Sequence, residues 1–216
     1  MAVVPEAASK LEGSMMGVTS LTLMNFAPTG ADRFAIIGIA LFDETNTVSG
    51  ITRTGDTPVF IGRSTGSAGN DRVEFWKILA PVTGAADVVI SLTASDDVAA
   101  FIINYNGVNQ STPHDTPEFT QQADAVPSLD EASAVDDYVV DVLASTEGGH
   151  AVGGGQTQRM NQQPADLEGY GSDETGATTV TMSWTVSAEH AHGVINLNAA
   201  GAARRRFPQK GWNLQY

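Results

Sequence analysis

The chain has 216 residues and no cysteine, and its 25 acids against 11 bases leave a net charge of −14. Lack of Cys excludes disulfides, thiolate metal sites and Cys nucleophiles, and an acidic body repels nucleic acid. At 42% apolar and 17% charged, with 22 Gly, the composition is that of a loop-rich globular protein long enough to bury a core without staples.

Only Lys10, Lys77 and Lys210 supply lysine, an acid-rich, Lys-poor balance that suits a saline, halophilic or marine source. The first residues show no basic segment followed by an apolar one, so no secretory signal is expected. No run approaches 18 apolar residues, and no membrane association is expected.

In chain order, residues 1–14 read as an N-terminal arm, or as a short helix from Pro5 to Leu11. Met16–Phe26 alternates as a strand, and Ala27–Gly30 is a turn. Asp32–Phe42 is nearly continuous apolar, the mark of a central strand covered on both faces. Ser49–Arg63 reads as a hairpin around Thr54-Gly55-Asp56, and Ser64–Asn70 as a flexible loop.

Val73–Pro113 then gives three apolar runs, Val73–Ala80, Asp87–Thr93 and Val98–Asn106. Short turn signals separate them, Pro81–Gly84 and Ser95–Asp97. Connections this short predict an antiparallel meander.

Gly107–Ala134, with Pro113, Pro117 and Pro127, reads as irregular. Tyr138–Ser145 is a strand, Glu147–Gly155 a Gly-rich loop, Gln156–Gln162 a polar edge strand and Pro164–Thr175 an acidic loop. Thr179–Val186 and His190–Ala199 complete nine or ten strands with no core helix. The expected fold is all-β, an antiparallel two-sheet sandwich of jelly-roll or immunoglobulin-like type, over residues 15–200.

Residues 201–216 change character. They hold four bases, no acids and three aromatics, so the body is −18 (7 bases, 25 acids) and the tail +4. Arg204, Arg205, Arg206, Phe207, Trp212 and Tyr216 are the candidate partner-docking residues, because Arg, Trp and Tyr are enriched in interface hot spots, with a frayed basic terminus as the plainer alternative. The Arg run also makes nucleic acid a rival target, which the acidic body disfavours.

No catalytic pattern stands out. His190 and His192 lie two apart on a strand and face one way, as a metal pair would, but no third ligand is evident and a polar strand start at the sheet rim is the simpler reading. Asp43-Glu44, Asp96-Asp97, Asp136-Asp137 and Asp173-Glu174 could attract adventitious calcium, yet none matches a spaced calcium loop. Nucleophile-elbow and phosphate-loop motifs are absent. Asn25, Asn104, Asn161, Asn196 and Asn198 sit in or beside strands, for packing against neighbours or for solvent.

Three stretches are the most specific: Glu74–Pro81 (EFWKILAP), Asn106–Pro113 (NGVNQSTP) and Gln156–Asn161 (QTQRMN). Together with the strand order over residues 15–200, they resemble an uncharacterised β-sandwich domain of tailed-virus virion proteins and multi-domain microbial surface proteins. The resemblance implies an immunoglobulin-like or jelly-roll sandwich without catalysis, and it carries over no site residues; no cofactor or metal is expected beyond adventitious calcium. The resemblance implies adhesion or structural assembly, which suits a structural virion component assembled in the host cytoplasm; a capsid decoration or turret protein is the first expectation, with a tail or fibre component close behind. Its partners would be copies of itself and other virion proteins such as the major capsid protein. A carbohydrate-binding or adhesive module contacting host surface glycans is the alternative, and a sandwich-type hydrolase a weaker third reading.

Overall fold

The computed structural model describes residues 1–43, 45–65 and 71–201. Its strands are β1 (Val4–Phe26), β2 (Phe34–Leu41), β3 (Val48–Arg53), β4 (Val59–Arg63), β5 (Arg72–Leu79), β6 (Ala86–Asn106), β7 (Glu118–Ala125), β8 (Ser128–Ala132), β9 (Tyr138–Ser145), β10 (Thr157–Gln162), β11 (Glu168–Thr175), β12 (Thr179–Ser183) and β13 (Ala188–Leu197). The all-β, two-sheet antiparallel sandwich holds, with thirteen strands among the described residues rather than nine or ten.

The first sheet runs β1-β6-β2-β5-β4, with β3 also on β6; the second runs β10-β11-β9-β13-β7; β8 and β12 form a separate ribbon. Strand β2 is buried at every position. Phe34, Ile36 and Ala40 face the second sheet, and together with Phe75, Phe101 and Ile103 of their own sheet they meet Val140, Val142 and Ile195. Ala35, Ile37, Ile39 and Leu41 face the opposite way into a second cluster. A strand covered on both faces is what a continuous apolar run should give.

The second cluster is roofed by the first sheet itself. Strand β6 is 21 residues long, and Val88, Ile90 and Leu92 from its first half share this cluster with Val98, Ala100 and Ile102 from its second half. The first half pairs with β3 and the second with β2. Strand β3 therefore crosses over β5, and the Val48 amide donates to Glu74 Oε1 at 3.2 Å. At its other end Arg53 Nη1 reaches the Val82 carbonyl at 3.2 Å. Strand β1 follows β6 round the bend through register shifts near Val18, helped by Gly17 at φ 56°. Each large side chain closed under this roof contributes roughly 2 kcal/mol.

Several expectations are corrected. Strands β5 and β6 are not neighbours, because β2 lies between them. Ser95–Asp97 is a bend inside β6 rather than a turn. The Asp96 carboxylate fixes that bend by accepting from Asn46 Nδ2 at 3.2 Å and from the Asp43 amide at 3.3 Å. Residues read as an arm form the start of β1, paired with β6 from Val4 onward. The expected hairpin at Ser49–Arg63 is not one, since β3 pairs with β6 and β4 with β5. The segment read as irregular contains β7 and β8, flanked rather than broken by Pro117 and Pro127. The acidic loop contains β11.

Candidate functional site

The densest polar chemistry lies on the outer face of the second sheet. Alternation along β9 puts Val139, Asp141, Leu143 and Ser145 on that face. Asp141 Oδ1 accepts from the Ser172 amide and hydroxyl, both at 2.7 Å. Its Oδ2 accepts from Trp184 Nε1 at 2.8 Å and from His192 Nε2 at 2.9 Å. Asp141, Ser172 and His192 have no exposed surface, and Trp184 has 1%. Trp184 follows β12 and lies on Tyr170 with ring centroids 5.4 Å apart, so Asp141 bonds the covering ribbon to the sheet.

Ser145, His150, His192 and Asp141 include the residue types of a nucleophile–base–acid relay, but they are not bonded in series. Ser145 Oγ meets His150 Nε2 at 3.1 Å, whereas Asp141 holds a different histidine. Buried and fed by Asp141's donors, the group works as a frame that joins layers.

A second buried acid joins the two sheets. Asp173 Oδ2 accepts from Tyr105 Oη and from Arg159 Nε, both at 2.7 Å. Burial raises the Asp173 carboxyl, and the Arg159 and Tyr105 bonds oppose it. Glu74, also buried, accepts from Trp76 Nε1 at 2.9 Å and is raised by burial in the same way.

The expected site residues divide as follows. Arg204, Arg205, Arg206, Phe207, Trp212 and Tyr216 lie outside the described residues. His190 and His192 do share a face, yet they are buried beneath other chain rather than set at an open rim. His114 Nε2 is 2.8 Å from Lys77 Nζ on the other side of the fold. Among the described residues no three His, Asp or Glu side chains converge as a metal site would require. The acid pairs act as internal acceptors: Asp97 takes the Gly17 amide at 2.8 Å, and Asp137 takes the Ala199 amide at 2.8 Å. Asn104 and Asn196 are fully buried rather than presented to neighbours, with Asn104 Nδ2 on Glu6 Oε2 at 2.8 Å and Asn196 Nδ2 on Asp137 Oδ2 at 3.1 Å.

Two surface features remain. One is an open groove of about 760 Å³ with Asn25, Thr52, Thr54, Thr83 and Asp87 in its lining and buried Arg53 at its base. Arg53 is occupied: Nη2 donates to the Phe26 and Gly84 carbonyls at 3.0 and 2.6 Å, and Nη1 also pairs with Asp56. The other is the edge of the first sheet at β4, which sequence reading hid inside a hairpin. Val59 and Phe60 are exposed there, with Leu79 from β5 and Val82 just beyond it. Phe60 stands edge-on to Trp76 at 5.4 Å, and the Arg63 guanidinium lies 4.9 Å over the Phe60 ring.

No protein-family model matches the chain, and no curated protein matches it.

Proposed function

We propose that this protein is a non-enzymatic structural subunit of a virus particle, a decoration or turret protein on the capsid shell of a tailed virus. The observation that supports this reading is the β4 edge, an open strand with exposed Val59 and Phe60 on a rigid, cross-bonded body. Exposed apolar edge strands invite pairing with another chain, and proteins that stay alone usually blunt them. The basic, aromatic segment from Arg204 to Tyr216 supplies a second attachment of opposite charge to the body. The virus-particle assignment itself rests on the sequence resemblance. With β1 paired along β6, attachment falls to this C-terminal segment and the β4 edge rather than to an N-terminal arm.

The test is incorporation. Full-length and 202–216-deleted chains are expressed in the producing host, and gradient-purified particles are analysed by mass spectrometry. The deleted chain is expected to remain folded and soluble but to be missing from particles; full incorporation refutes the docking role. A glycan-binding module is the second reading, favoured by the half-open Phe60–Trp76 pair. It requires sugar retention on a glycan array that Phe60→Ala removes.

A further inference from the structure

The proposed assembly role leaves unused three histidines on the outer face of the second sheet. His190 and His192 project from β13, and His150 descends from the 146–156 connection; their exposures are 2%, 0% and 5%. His190 Nδ1 lies 2.9 Å from the Ala188 carbonyl, so this nitrogen carries the ring proton and Nε2 is a bare lone pair with no partner. His192 donates from Nε2 to Asp141, which leaves Nδ1 bare and unpartnered. His150 uses Nε2 on Ser145, and its Nδ1 also has no partner. His190 and His192 thus each keep one buried nitrogen with nothing to bond, and His150 has at most the Glu147 backbone beside its own.

The surroundings oppose charge on His150 and His190, while His192 is held by the Asp141 carboxylate. Burial, then the His190 and His192 rings, push His150 down to about 4. Burial and the His192 ring lower His190. Strand β9 presents Asp141, which is already engaged by four donors, and Ser145. Strand β11 presents Tyr170, whose ring lies 5.2 Å from His150 and whose hydroxyl bonds Glu168. Strand β7 sets uncharged Thr120 and Gln122 opposite His192 and His190. Glu147 favours a charged His150 through its backbone. Glu189 is on the opposite face of β13, where it acts on Asp71.

What these rings hold down is a distinct layer. The 146–156 connection bridges to the ribbon at Val152 and Trp184, and the ribbon covers Val139 and Val194 with Val180 and Met182. This outer cluster is far smaller than the two clusters of the body.

We propose that His150 and His190, packed beside the Asp141-bound His192, form an acid-operated latch: protons taken up by the His150 and His190 rings release the 146–156 connection and the β8–β12 ribbon from the second sheet while the body stays folded. The layer is held fully above the ordinary histidine range, near 6.5, and the hold is lost as pH falls toward about 4. Release uncovers Val139, Leu143, Tyr170 and Val194, an apolar strip for a new contact.

Hydrogen exchange of the full chain from pH 7.5 to 3.5, corrected for the intrinsic pH dependence of exchange, tests this without any variant. Segments 146–156 and 179–184 are expected to lose protection at least tenfold below pH 6, while β2 and β6 stay protected. Protection of the outer layer down to pH 4, or its loss only together with β2 and β6, overturns the proposal. As a second arm, His190→Gln is expected to move the midpoint down by at least half a pH unit. An unchanged midpoint in that variant also overturns it.

Discussion

Asp71 offers the sharpest quantitative test of the packing. It is 1% exposed, and neither carboxylate oxygen has a hydrogen-bond partner. Burial, followed by the charges of Glu189 and Asp96, raises its carboxyl from 3.8 to about 8. Folding at neutral pH therefore takes up a proton that the unfolded chain has lost. The stabilising state is complete below 3.8 and is lost progressively as pH rises through about 8. At about 1.4 kcal/mol per pH unit, the cost at pH 7 is on the order of 4 kcal/mol. Asp71→Asn keeps the shape and removes the titration. Gln121 donates its side-chain amide to the Asp71 backbone carbonyl, and its own Oε1 is buried and unpartnered. Urea denaturation at pH 5, 6, 7 and 8 should show the variant more stable than the parent, with a gap that widens by about 1.4 kcal/mol per pH unit. A gap that stays flat with pH, or a variant weaker than the parent at pH 7, refutes the reasoning.

Other substitutions follow from the same contacts. Asp141→Ala strands the buried donors of Ser172, Trp184 and His192 and should cost about 3–5 kcal/mol by urea denaturation. Arg53→Met removes the cation shared by Asp56 and the Phe26 and Gly84 carbonyls and should cost about 3 kcal/mol, read as a fall in the denaturation midpoint. Gly171→Ala places a methyl 2.7 Å from the Phe101 ring, which Gly38 confines from the other side; overpacking should lower stability by about 1–3 kcal/mol, visible as a lower Tm. Phe60→Lys should leave Tm within a degree or two, because the ring is exposed, while abolishing any self-association seen in sedimentation.

The sequence made β2 legible because both its faces are apolar, and no 3.6-residue helical period competes with the period of two in β12 and β13. Ser95-Asp96-Asp97 was opaque for the opposite reason. Polar residues that signal a turn are also what a sharply bent strand needs, since Asp96 must accept from Asn46 and from backbone at the bend. Strand β11 hid behind Ser172, Asp173 and Glu174, because a buried acid satisfied by Arg159 and Tyr105 looks in sequence like a solvated loop. The start of β1 looked like a free arm because its polar residues bond across to the other sheet, as Lys10 Nζ does to the Arg159 carbonyl at 3.0 Å. The histidines at 190 and 192 were visible as a pair. Their burial was not, because the chain over that face, where His150 meets Tyr170 and Trp184 meets Asp141, is brought in from elsewhere in the sequence. The β4 edge escaped notice because local turn chemistry at Thr54-Gly55 says nothing about which distant strand each flank will join.

Strand β6 walls both large clusters at once, odd residues toward one and even residues toward the other. Neither compartment can melt while the other persists, since withdrawing the shared strand empties both. Heating should therefore produce one calorimetric transition for the body, and half-open species with sticky, unpaired edges should stay scarce even at high protein concentration.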